Sequence, residues 1–283
     1  MGWHRGGRAV TVCMPHLETD VTQACNLSCV GCNHEVPLWR TLKGGPWKAD
    51  PDQVRADLNH LAMIMHADRW GALGGEPLLH PKLVDILLIA RDSGVADKTE
   101  CWTNGMFAHR MKSEFWRSFD ILVLSVYEGK HTDDSLALIA ERCEQYGVEL
   151  VTKDERRYPN FKTLLEPVPT SPRETRAKFA GCFFRSFSRS ANYGWFFTCC
   201  CAPSMPMLVQ GKPYGTDGIP IAGLREEQLR AYLDRSEPLG CCHLCAGRDT
   251  AVSIPWHEER NPDAWVAASA GGETIITRET DRP

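Results

Sequence analysis

The sequence predicts an α/β fold: a partial, curtailed TIM-type βα barrel in the first half of the chain, followed by a small cysteine-rich C-terminal domain. Three observations predict it. From about residue 15 to 155, short apolar strands alternate with helical patterns, the way successive βα units build a parallel sheet. Five such strands can be counted, fewer than the eight of a closed barrel. Beyond residue 155 the rhythm stops, and residues 182 to 245 carry seven of the 13 cysteines.

Taken in order, Leu17 to Val21 reads as the first strand and leads into a cysteine loop. Asp50-Pro51-Asp52 is a helix start signal, after which Val54, Leu58, Leu61 and Met65 recur at helical spacing. Trp70 to Leu73 is the second strand, ending in Gly74-Gly75-Glu76-Pro77. A helix from Pro81 puts Leu83, Ile86, Leu87 and Ala90 on one face, with Gly94 past its end. Thr99 to Trp102 makes the third strand, ending in Thr103-Asn104-Gly105, and residues 107 to 118 have a weaker helical pattern. Ile121 to Val126 is the fourth strand. Asp133 to Tyr146 is a helix, apolar at Leu136, Ile139, Ala140 and Cys143 and stopped by Gly147; Val148 to Thr152 is the fifth strand. Pro159, Pro167, Pro169 and Pro172 then mark a loop-rich connection, and one amphipathic helix is expected from Leu224 to Asp234. The polar stretch from Ala267 to Pro283 is expected to wrap the surface or fray. These signals divide the chain into a barrel core at 1–155, a linker and cysteine-rich domain at 156–255, and a tail at 256–283.

Composition narrows the function classes. The 283 residues are 43% hydrophobic and 24% charged, a globular balance long enough to bury a large core without disulfides. Net charge is −4 with no basic tract, so nucleic acid is not an expected partner. Apolar runs such as Ile86 to Ala90 are far short of a membrane span, and the N-terminus lacks the apolar core of a signal peptide. A cytoplasmic location is expected. In a reducing compartment, clustered cysteines bind metal or do redox chemistry more often than they pair.

Cys25-Asn-Leu-Ser-Cys29-Val-Gly-Cys32 places three thiolates on one short loop directly after the first strand. Three ligands suit a [4Fe–4S] cluster with one iron left open; a zinc knuckle completed by His34 is the alternative. This C-x3-C-x2-C, together with Gly-Gly-Glu-Pro after the second strand, resembles the radical S-adenosylmethionine enzymes. The resemblance implies that Cys25, Cys29 and Cys32 hold the cluster and that S-adenosylmethionine chelates its open iron. One electron then cleaves the sulfonium, leaving a 5′-deoxyadenosyl radical that abstracts hydrogen. It implies further that Gly74, Gly75, Glu76 and Pro77 receive the methionyl amino group, with Asn104 and Ser125 toward the carboxylate and ribose. Gly31 departs from the family, many members of which carry an aromatic residue there, so adenine stacking must come from elsewhere.

A second constellation, Cys182-x11-Gly194-x4-Cys199 with a distant Cys242-x2-Cys245, resembles the twitch domain, the short form of the SPASM extension. The resemblance implies a second, fully ligated [4Fe–4S] cluster on Cys182, Cys199, Cys242 and Cys245; a four-cysteine zinc site is the alternative. Cys200, Cys201 and Cys241 remain, either as register alternatives (Cys241 for Cys242) or as thiols able to return hydrogen to a substrate radical, with Cys241 the leading candidate. Cys13, Cys101 and Cys143 read as buried small hydrophobes.

Acidic residues cluster where strands of this kind end: Glu18 and Asp20 on one side of the first strand, Glu128 after the fourth, Asp154 and Glu155 after the fifth. They favour a cationic substrate. Trp102, Trp116 and Trp195 are candidates for stacking on sugar or for the core. Among twitch-type members the resemblance is to aminoglycoside-tailoring enzymes, of the neomycin C epimerase and 2-deoxy-scyllo-inosamine dehydrogenase types. The spare cysteines favour the epimerase, acting on an aminoglycoside or amino-sugar and drawing electrons from a flavodoxin- or ferredoxin-type donor. A dehydrogenase oxidising a secondary alcohol is the alternative. A peptide-modifying maturase is less expected, because only about fifteen residues precede the first strand, too few for a leader-recognition domain. A zinc-binding interaction module is the non-enzymatic reading.

Overall fold

The structure is a computed structural model that describes residues 3–5, 8–10, 12–41, 45–157, 161–166, 169–205 and 217–271. A short antiparallel pair, β1 (Trp3–Arg5) and β2 (Arg8–Val10), precedes the main sheet. Among the described residues that sheet has eight strands: β3 (Cys13–Thr22), β4 (His66–Gly74), β5 (Ala96–Thr103), β6 (Ile121–Val126), β7 (Glu149–Asp154), β8 (Ser188–Asn192), β9 (Trp195–Phe197) and β10 (Ile219–Pro220). Their spatial order is β10-β9-β8-β3-β4-β5-β6-β7. The run from β8 to β7 is parallel throughout, and β9 and β10 are antiparallel additions at one edge. The architecture is thus a partial βα barrel whose open edge is extended by strands from the cysteine-rich region.

All five expected strands are present; the first four contain all the predicted residues, and the fifth begins at Glu149, one residue after the expected Val148. The helices between them form where the signals lay. Asp50 caps Pro51–Leu61 by accepting from the Asp52 N–H, and Val54, Leu58 and Leu61 are buried. Thr132 and Ser135 form a capping box at the start of Asp133–Tyr146, and Gly147 ends it in the left-handed conformation. With Leu83–Ser93, these helices cover one face of the sheet, where Leu17, Val21, Trp70, Ala72, Cys101, Leu122 and Leu124 join the main core. Full burial of each large aliphatic side chain there contributes about 1.5–3 kcal/mol.

Strand alternation puts His16, Glu18 and Asp20 of β3, Glu100 of β5 and Lys153 of β7 on the opposite face. His16, Glu18, Asp20 and Glu100 are buried. This charged face is the inside of the partial barrel.

Four expectations are corrected. Residues 107 to 118 hold only a single 3₁₀ turn, Ala108–Arg110, and a one-turn helix, Ser113–Trp116. Pro172 does not mark a loop: with Ser171 as cap and Glu174 closing a capping box, it opens the helix Pro172–Ala180. The described part of the tail does not fray, because Asn261 caps a helix, Pro262–Ser269, whose Trp265 is fully buried; residues 272–283 lie outside the described residues. Cys101 and Cys143 are buried as expected, but Cys13 is exposed at the start of β3.

Candidate active site

The cysteine loop leaves β3 at its C-terminal end. Thr22 Oγ1 and the Gln23 N–H both donate to Trp47 O, at 3.0 and 2.8 Å, which fixes the exit. Cys25, Cys29 and Cys32 follow, all half-buried and close enough to repel one another as thiolates. Burial pushes Cys25 up to about 12 and raises Cys29 and Cys32 as well. Each sulfur nevertheless accepts from an N–H. Leu27 N donates to Cys25 at 3.4 Å, the Trp256 indole to Cys29 at 3.1 Å, and the backbone of His34 and Val36 to Cys32. Neutral thiols are poor acceptors, so this is a donor set suited to thiolates on a metal group.

Spacing bears on which group fits. Among the described residues, Cys199, Cys200 and Cys201 bring three sulfurs within 4.8 Å of one another. A tetrahedral zinc would need sulfurs about 3.8 Å apart, given Zn–S near 2.3 Å. His34, the alternative fourth zinc ligand, is engaged elsewhere. Burial alone would lower it, but Asp20, with its Oδ1 3.0 Å from Nδ1, holds the imidazole protonated up to about 10. With His34 engaged by Asp20, the loop offers three thiolates to a metal group and not a fourth ligand from this histidine.

The loop's outer side is held from two directions. Arg40 donates to Cys25 O at 2.6 Å, Leu27 O at 2.7 Å and Ser28 Oγ at 2.7 Å. From the far end of the chain, Val30 N reaches His257 O, Glu259 N reaches Ser28 O, and the Trp265 indole donates to Cys29 O at 2.7 Å. At Gly31, a Cβ would stand 2.7 Å from Lys162 O, so the backbone of the neighbouring segment excludes an aromatic residue there.

The Gly74-Gly75-Glu76-Pro77 segment lies against this loop. A Cβ on Gly74 would meet Thr22 O at 2.3 Å, and one on Gly75 would meet Ala24 O at 2.3 Å. The close approach that the glycines allow is therefore made by the chain's own loop, through Gly75 N to Thr22 O and Glu76 N to Ala24 O. Glu76 is buried, and its carboxylate accepts from Thr103 Oγ1 at 2.6 Å, Asn104 N at 2.8 Å and Leu78 N at 3.0 Å. Burial still pushes it up to about 7. Asn104 donates to Asn26 Oδ1 at 2.9 Å, tying the end of β5 to the cysteine loop. Ser125, near the end of β6, hydrogen-bonds Tyr127.

Of the acidic candidates, Glu18 and Asp20 share the buried interior. Glu18 accepts from Ser188 Oγ at 2.7 Å, and burial raises it; Asp20 holds Gln23 Nε2 at 2.9 Å besides His34. Glu155 is buried near Lys153, which stands 3.6 Å over the Trp102 ring. Glu128 and Asp154 are not brought to this group: Glu128 is exposed, and Asp154, one residue past Lys153, pairs with Arg156 at 2.8 Å and with Arg157. Trp116 is a core residue, and Trp195 packs against the second apolar cluster.

The C-terminal cysteines converge from three segments. Cys182, Cys199, Cys242 and Cys245 lie within electrostatic reach of one another. Burial pushes Cys245 up to about 12, while its sulfur accepts from Gly247 N at 3.3 Å. Donation from the Cys200 and Cys201 thiols draws Cys199 well down. Cys241 packs beside Cys242, its N–H on Asp217 Oδ2 at 2.8 Å. Cys200 faces the barrel side: Asn33 Nδ2 lies 3.9 Å from its sulfur, and Glu18 acts on it electrostatically. Val30 and Cys32 share one apolar cluster with Cys199, Cys200, Cys201, Cys241, Cys242 and Cys245, so the two cysteine groups flank a common core.

Sequence reasoning missed Arg40, Trp256 and Trp265. No spacing rule links them to the loop, although Asn261-Pro262 was a readable helix start. Among the described residues, no helix is long and apolar enough to cross a membrane.

No protein-family sequence model matches the chain. No curated protein sequence matches it either. Among solved structures, it is similar in overall trace to BtrN in complex with AdoMet and 2-DOIA, at 13% identity and a TM-score of 0.49, over 78% of this chain and 82% of that one. It is similar to anSMEcpe with bound AdoMet at 13% identity and a TM-score of 0.45, over 76% and 77%. To Streptococcus suis SuiB bound to S-adenosylmethionine the values are 11% and 0.42, over 80% of this chain and 66% of that one.

Proposed function

We propose that the chain is a radical S-adenosylmethionine enzyme carrying two [4Fe–4S] clusters, and that it inverts a carbon of an aminoglycoside or amino-sugar. The observation that carries this reading is the Cys25–Cys32 loop: three spaced, N–H-supplied sulfurs at the C-terminal end of a barrel strand, with the Gly-Gly-Glu-Pro segment bonded against it. The bound cluster and S-adenosylmethionine supply one-electron cleavage of a sulfonium and a hydrogen-abstracting carbon radical.

The chain's own residues do the rest. Cys25, Cys29 and Cys32 hold the first cluster, and Cys182, Cys199, Cys242 and Cys245 hold the second. Glu76, Asn104 and Ser125 line the route for the methionyl and ribose groups, with Glu76 also bracing β5. Glu18, Asp20 and Glu155 bring negative charge to the barrel interior to meet a cationic substrate, where His34 and Lys153 offset part of it. A few kcal/mol of such attraction selects an aminated sugar over a neutral one.

Hydrogen return needs a thiol facing the substrate side. Cys200 takes precedence over Cys241, because besides the Cys199 and Cys201 sulfurs it has Asn33 and Glu18 as neighbours, whereas the Cys241 thiol interacts with Cys242. The test is product analysis in deuterated water with candidate aminoglycosides, S-adenosylmethionine and reductant. An epimer gaining one deuterium at the inverted carbon is expected, and Cys200→Ala should still release 5′-deoxyadenosine while making little epimer. A product two mass units lighter, without deuterium, would assign the dehydrogenase instead.

A further inference from the structure

The C-terminal segment passes over the first cysteine loop and is bonded to it along its length. Ile254 N donates to Phe161 O, Cys29 and Glu258 form a β-bridge, and Ser28 N donates to Glu258 Oε1 at 3.0 Å. The Trp265 indole and Ser269 Oγ then take up Cys29 O and Gly31 N. Within this strap, one side chain reaches a sulfur: Trp256 Nε1–H donates to Cys29 Sγ at 3.1 Å from 227 residues away. Its ring is fixed by stacking on Tyr127, centroids 4.9 Å apart and planes 22° from parallel, with Lys130 on it at 5.6 Å.

The N–H groups serving Cys25 and Cys32 come from the loop backbone itself or the residues just beyond it. Trp256 is different, because a side chain can be exchanged without changing the loop. An N–H held on a ligand sulfur favours the redox state with more negative charge on sulfur, which is the reduced one. We infer that Trp256 is a positioning residue that raises the reduction potential of the iron–sulfur group held by Cys25, Cys29 and Cys32, and that the 253–269 strap exists to place it. The inference rests on the proposed cluster reading. The redox change is one electron taken from an added reductant such as dithionite, with no bond made or broken.

Trp256→Phe keeps an aromatic ring able to stack on Tyr127 but removes the N–H. Potentiometric titration of the reconstituted protein, followed by the electron paramagnetic resonance signal that changes on adding S-adenosylmethionine, isolates the open-iron cluster from the second one. The variant is expected to keep its iron and that signal. At a fixed potential its reduced-to-oxidised ratio should fall by about threefold to tenfold, tenfold being 59 mV for one electron. Trp265→Phe, which removes an N–H from the Cys29 carbonyl and not from sulfur, should leave the ratio within twofold of wild type. An unchanged ratio in Trp256→Phe, or an equal fall in both variants, would overturn the assignment to the indole N–H. Wild-type protein with no S-adenosylmethionine-responsive signal would instead bring down the cluster reading itself.

Discussion

The two cysteine regions assemble their sulfurs in opposite ways. Cys25, Cys29 and Cys32 sit on one short loop, so sequence adjacency brings the ligands together and distant elements only brace them. Cys182, Cys199, Cys242 and Cys245 come from a helix start, the end of a hairpin and a 3₁₀ turn, so their convergence depends on the whole C-terminal region folding. The first region has a sulfur for each place and none to spare; the second has Cys200, Cys201 and Cys241 beside its expected ligands.

The largest expected effect tests that division. Alanine at Cys25, Cys29 or Cys32 should lower 5′-deoxyadenosine formation by at least about 10³-fold while leaving roughly half the iron on the second site. Alanine at Cys242 should remove roughly half the iron yet leave measurable cleavage. Chromatographic assay and iron analysis of the same samples check both, and full cleavage in any loop variant would break the comparison.

Backbone tolerance is next. Gly75→Ala puts a Cβ 2.3 Å from Ala24 O and should cost at least about 3 kcal/mol in denaturant unfolding. Gly181→Ala, beside Cys182, meets nothing within 4 Å and should stay within about 0.5 kcal/mol of wild type.

A pH dependence follows from Glu76, held near 7 against an ordinary 4.5 by burial. The folded state keeps a proton that the unfolded state has released across this window. Metal-free protein should therefore lose stability as pH rises from about 4.5 to 7, by roughly 2–3 kcal/mol from this group. Denaturation midpoints across that range should fall less steeply in Glu76→Gln than in wild type, the remaining slope coming from Glu35, which burial pushes up to about 8, and from Glu18, which burial also raises. Arg40→Ala is expected to cost about 1 kcal/mol, less than the Gly75 and Glu76 effects, because its three bonds to the loop are made at an exposed guanidinium. Unfolding curves check it, with faster iron loss to a chelator as the accompanying sign.

The same contrast explains what could be read from the sequence. The barrel strands were legible because Leu17–Val21, Trp70–Leu73 and Ile121–Val126 are apolar runs bounded by turn residues. Strand β8, Ser-Arg-Ser-Ala-Asn, has no such pattern, and it exists because His16, Leu17 and Glu18 supply a parallel edge for Ser188, Arg189 and Ser190. The first cysteine group was legible as a spacing. Trp256 on Cys29 was not, since only the folded tail joins residues 227 apart. The helix at Pro172 was readable in principle: Ser171-Pro172-Arg173-Glu174 is a cap, a first-turn proline and a capping-box partner, and the proline-rich surroundings hid it.

The central claim is that the Cys25–Cys32 loop carries a three-thiolate iron–sulfur cluster with an open iron. Anaerobic reconstitution with iron, sulfide and S-adenosylmethionine, followed by iron and sulfide analysis and assay for 5′-deoxyadenosine under dithionite, tests it most directly. The account predicts about eight iron and eight sulfide per chain and 5′-deoxyadenosine formation that Cys29→Ala abolishes. Stoichiometric zinc without sulfide, or 5′-deoxyadenosine formed equally well by Cys29→Ala, would contradict it.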